Sequence, residues 1–67
     1  MDFEASLSDF LAEARSDVWM GLTKKGITPD LDKIMTTLDD QVRGLTTIEQ
    51  LDSAYQPAVE KAISLLS

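Results

Sequence analysis

Asp9, Glu13 and Asp17 stand four residues apart in what reads as one helix, with Asp2 roughly in line and no basic residue in the row. Carboxylates so spaced present a row of negative charge. Helical rise sets successive members about 6 Å apart, near phosphate spacing. The row is therefore a candidate nucleic-acid mimic, able to occupy the basic groove of a target protein, and equally reads as a solvated acidic face. Like charges at this spacing cost the helix a few tenths of a kcal/mol.

Catalysis is not expected. The chain has no His and no Cys, so it offers neither an ordinary base titrating near neutral pH nor a thiol nucleophile. Asp39 and Asp40 are adjacent, and adjacent helical positions point in different directions. The same inventory removes the usual transition-metal ligands. Asp30 and Asp32 start like a calcium loop but lack its glycine. We expect no enzyme, no cofactor and no metal. Asp52, Ser53 and Ala54 are similar to the phosphopantetheine attachment site of acyl-carrier proteins over those three residues. In carriers that serine opens a helix, whereas Ser53 falls inside one here, so no prosthetic group is expected.

What remains is recognition by contact. Twelve acidic against six basic residues give a net charge of −6, which repels phosphate backbones and anionic lipid; direct binding to nucleic acid or membrane is not expected. No signal-like or membrane-spanning apolar run is visible, which reads as a cytoplasmic protein. At 43% hydrophobic and 27% charged the composition is that of a folded domain. With 67 residues only about 60% of the unfolded surface is buried, and without disulfides a lone core is marginal. A protein partner is expected, and a homo-oligomer would serve the same need.

Two glycine breaks, at Gly26 and Gly44, follow basic residues that suit helix ends. Thr28 with Pro29 reads as a helix start, and Thr46 with Glu49 as a capping box. The pattern predicts an all-α fold, a single domain over 1–67. It is a three-helix up-down-up bundle with helices at about 3–25, 29–43 and 47–66. Apolar stripes run through Phe3, Leu7, Phe10, Leu11, Ala14, Val18 and Leu22; through Leu31, Ile34, Met35, Leu38 and Val42; and through Ile48, Leu51, Tyr55, Ala58, Val59, Ala62 and Leu66. Asp39 and Arg43 are placed to pair at i,i+4. Pro57 either kinks the third helix or splits it near Gln56; the unbroken stripe favours one helix. Gly21 lies within the first stripe, where either the close approach of another backbone or simply a weak helix end would explain it.

The first helix also carries apolar residues off its stripe. Ala5, Ala12 and Trp19 recur every seven residues, with Met20 further round and Ser16 nearby. Either the third helix covers this flank and buries Trp19, or Trp19 stays exposed for a partner. Tryptophan and methionine are enriched at the centres of interfaces, and Arg15, four residues earlier, could stack on the indole. Ala12, Arg15, Ser16, Trp19 and Met20 are thus the candidate partner-binding residues, beside the acidic face of Asp9, Glu13 and Asp17. The expected function is a non-enzymatic interaction module, as in a small adaptor, co-chaperone or inhibitor.

Overall fold

The computed structural model describes residues 2–67 and contains three helices, α1 (Phe3–Lys24), α2 (Leu31–Val42) and α3 (Ile48–Leu66), with no strand among the described residues. The first two helices are stopped by local chemistry. At the end of α1 the Gly26 N–H donates to Thr23 O and the Ile27 N–H to Leu22 O, both at 3.0 Å, with Gly26 at φ 77°. This reversal folds Ile27 back onto the core beside Leu22; only a residue tolerant of left-handed φ can make it. Gly44, at φ 91°, follows α2 in a different turn, in which Arg43 is extended and the Leu45 N–H donates to Val42 O at 3.1 Å.

The starts differ from expectation by a residue or two. Asp30, not Thr28, caps α2, its carboxylate accepting from Asp32 N at 3.0 Å and Lys33 N at 3.4 Å. A charged acceptor suits the positive end of the dipole better than a hydroxyl. Thr28 and Pro29 therefore belong to the connection. Thr47, not Thr46, caps α3 and forms a capping box with Gln50, whose side-chain oxygen accepts from both Thr47 N (3.1 Å) and Thr46 N (2.7 Å). One amide oxygen thus satisfies two backbone donors, including the Thr46 N–H that a Thr46–Glu49 box would have assigned to Glu49. The start of α1 is capped by Asp2, which accepts from Glu4 N.

α3 runs unbroken through Pro57, which is exposed together with Ser53, the residue whose carbonyl it frees. The alternative of two helices is not what forms. The continuous stripe supplies the reason: Leu51, Ala58 and Ala62 are buried on either side of the proline, and keeping them in phase outweighs one lost backbone bond.

Contacts along the bundle fix its direction. Phe10 and Asp17 of α1 meet Tyr55 of α3, Gly21 meets Ile63, and Lys25 Nζ donates to Ser67 Oγ at 3.2 Å. α1 and α3 therefore run parallel. α2 returns between them, with Asp30 and Lys33 beside Leu22 and Leu66. The result is an up-down-up rod of 37 × 16 × 16 Å. Among the described residues Phe10, Ala14, Val18, Leu22, Ile34, Leu38, Val42, Leu51, Ala58 and Ala62 are buried, and no polar side chain is buried with them. No helix of the described residues is long and apolar enough to cross a membrane.

Two expected details change. Leu31 is the first residue of α2, at the end of the rod, and is 46% exposed instead of belonging to the core. Arg43 pairs with Asp40 at 3.3 Å, not with Asp39. Arg43 has already left helical geometry (φ −62°, ψ 127°), so the i,i+4 spacing no longer holds.

Candidate functional site

Parallel α1 and α3 with antiparallel α2 bring the last turns of α1, the start of α2 and the last turn of α3 to one end of the rod. The exposed large hydrophobics among the described residues are at or near that end: Trp19 (43%), Met20 (55%), Leu31 and Leu65 (61%). Sequence patterning found the first two and missed the others. Leu31 was absorbed into a stripe and Leu65 was left without a role, because which helix ends coincide is a property of the packing.

α3 does not cover Trp19. The side chain is outside the set packed on the core, and with Met20, Thr23 and Lys24 it lines a shallow, mainly apolar hollow. Thr23 Oγ1 donates to Trp19 O at 2.9 Å, holding the threonine methyl beside this surface. Ala12, Arg15 and Ser16 are exposed on the preceding turns. Arg15 does not stack on Trp19: the ring contact among the described residues is Phe10 with Tyr55, edge to face at 5.3 Å between centroids and 86°. Gly21 is explained by α3. A Cβ there would lie 2.5 Å from Ile63 Cδ1, so the glycine seats a side chain, not a backbone.

The acidic face divides. Asp9, Glu13 and Asp17 are exposed, but Asp17 accepts a short hydrogen bond from the Tyr55 hydroxyl. Partial burial, followed by the bond to Asp17 and the charges of Asp17 and Glu13, pushes the Tyr55 phenol up to about 12; each disfavours the phenolate. Asp9 and Glu13 instead flank a groove between the first halves of α1 and α3, of about 300 Å³, lined also by Ser6, Phe10, Ile48, Leu51, Asp52 and Tyr55. This groove was invisible in the sequence. Finding it requires the parallel register that sets Asp52 opposite Asp9 and Glu13.

Charge follows the same division. Arg15, Lys24, Lys25, Lys33 and Lys61 offset Asp17, Asp30, Asp32 and Glu60 in the half that carries Trp19. Among the described residues, Asp2, Glu4, Asp9, Glu13, Asp39, Asp40, Glu49 and Asp52 share the other half with the side chain of Arg43. The fold and surface thus define a small helical bundle with an apolar, nearly neutral end and an acidic end. No protein-family model, curated protein or solved structure matches the chain.

Proposed function

We propose that the protein is a non-enzymatic interaction module that docks onto a protein partner through the α1 surface around Trp19 and Met20, with Ala12, Arg15 and Ser16 at its margin. The observation that carries this reading is the exposure of a tryptophan and a methionine side by side on a helix whose own apolar stripe already buries Phe10, Ala14, Val18 and Leu22 in the core. Neither is needed for the core. Each would lose further apolar surface to a partner, at about 25 cal/mol per Å², and tryptophan is the residue most often found to dominate such contacts. Adaptors, co-chaperones and inhibitors work in this way, in a cytoplasmic setting on our reading, and a second copy of the chain is an admissible partner.

The test is affinity for a partner co-purified from the producing cells, measured with the wild type and Trp19→Ala. The variant is expected to stay helical and bind about 30-fold more weakly, equivalent to about 2 kcal/mol, with little dependence on salt. Unchanged affinity overturns the reading. A loss on neutralising Asp9, Glu13 and Asp17, together with collapse of binding at raised ionic strength, would instead favour the acidic mimic. That alternative has less support because Asp17 is engaged by Tyr55.

A further inference from the structure

We infer that the groove between the first halves of α1 and α3 receives a lysine or arginine side chain from a basic segment of a partner protein. The inference rests on the reading that this chain works by protein contact, and it adds a second surface and the chemistry of its occupant. The groove floor is apolar: the Phe10 and Leu51 side chains are almost wholly buried beneath it, and Ile48 and the Tyr55 ring are half-buried along its walls. Its rim is anionic. Asp9 and Glu13 stand on the α1 side and Asp52 on the α3 side.

This pairing selects its ligand. A long cationic side chain lays its methylene stem on apolar surface while its charged head stays at a polar rim, and carboxylates from two helices can accept its donors together. A bare apolar side chain would leave the carboxylates partly desolvated and unpaired, which is costly. A metal ion fits poorly, since no three carboxylates among the described residues come together as ligands. Among the described residues Asp9, Glu13 and Asp52 make no ion pair: Arg43, at the same end, pairs with Asp40, and Lys24, Lys25, Lys33 and Lys61 lie in the opposite half of the rod.

The groove is continuous with the docking surface. Glu13 and Met20 are seven residues apart on one side of α1, about 10 Å along the axis. A basic amphipathic helix lying along α1 would therefore reach the groove with a cation and Met20 with an apolar residue two turns away.

The test is an NMR titration of the full chain with an alanine-based helical peptide carrying lysine and leucine seven residues apart, alongside a counterpart with glutamine for lysine. The lysine peptide is expected to move the amide signals of Phe10, Glu13 and Asp52, and to bind about tenfold more tightly than the glutamine peptide. Glu13→Gln with Asp52→Asn should cost about tenfold, while Asp39→Asn with Asp40→Asn, which removes equal charge from the same end outside the groove, should cost little. Equal losses from the two double variants would reduce the effect to general electrostatics and overturn the inference. So would equal binding of both peptides, or no binding. Shifts confined to Trp19, Met20 and Thr23 would overturn the groove while supporting the docking surface. Groove shifts that persist in Trp19→Ala would uphold the groove alone.

Discussion

Gly21→Ala is the perturbation whose outcome the structure constrains best, because two opposed effects of known size meet at one atom. Alanine is favoured over glycine inside a helix by about 1 kcal/mol, so the substitution stabilises α1 taken alone. The new Cβ, however, would sit 2.5 Å from Ile63 Cδ1 and 3.2 Å from its Cγ1, inside contact distance. Overpacking costs typically about 1–3 kcal/mol; the first atom struck is the tip of a flexible side chain, which places the cost near 2. The expected net effect is a loss of about 1 kcal/mol, or 4–8 °C in Tm for a domain of about this size. Ile63→Val removes Cδ1, at a cost of about 0.5–1.5 kcal/mol by itself. In that background Gly21→Ala should become neutral or stabilising, a coupling of about 1–2 kcal/mol in the double-mutant cycle. Urea unfolding followed by circular dichroism and by Trp19 fluorescence gives all four stabilities, and agreement of the two probes tests for two-state behaviour. Stabilisation of equal size in both backgrounds would refute the reasoning, since Ile63 would then not be seated on Gly21.

Thr47→Ala should cost about 1 kcal/mol in the same assay and Thr46→Ala distinctly less, because Thr47 Oγ1 accepts from Gln50 N whereas the Thr46 hydroxyl is only 3.4 Å from Gln50 Oε1. Tyr55, the single tyrosine, should ionise near pH 12 in the folded chain and near pH 10 in urea, read as tyrosinate absorbance. A pKa raised by folding contributes stability below about pH 10 that is lost as pH climbs through about 12. Tyr55→Phe should therefore be the less stable protein at neutral pH, with a gap that closes over that alkaline range. Trp19→Ala should leave the helical signal intact and cost the fold less than about 1 kcal/mol, whereas Leu38→Ala, buried in α2, should cost about 2–5; a Trp19 cost in the Leu38 range would mean the indole belongs to the core.

The stripes of α1 and of α3 across Pro57 were legible in the sequence because helical phase depends only on spacing, and it survives errors at the ends. The ends were less legible. Thr46 with Glu49 and Thr47 with Gln50 both fit a capping box, and the choice fell to Gln50, whose one oxygen serves two backbone donors. Thr28 and Asp30 competed likewise, and the carboxylate won. Leu31 shows the limit of periodicity: it has the right phase for the core and lies too close to the end of the rod for a neighbour to cover it. The exposure of Trp19 depended on how α3 crosses α1, which spacing along one helix cannot state. The Tyr55–Asp17 bond and the groove beside it depend on inter-helix register, for which the linear pattern carries no signal.

Register also separates the two kinds of surface. Had α3 run antiparallel to α1, Asp52 would have joined Lys24 and Lys25 at one end, and Lys61 would have faced Asp9, giving a rod with mixed charge throughout. The parallel pairing instead gathers carboxylates from three helices at one end and leaves Trp19, Met20, Leu31 and Leu65 toward an end where charge nearly cancels. Those two ends differ in range. Carboxylates act over about 8–10 Å at moderate salt and orient an approaching basic partner before contact. The apolar residues act only once water is excluded, and so govern how long the complex lasts. Under the proposed function, neutralising Asp9 or Asp52 would slow association, while truncating Trp19 would hasten dissociation. The division of labour follows from the direction of one helix.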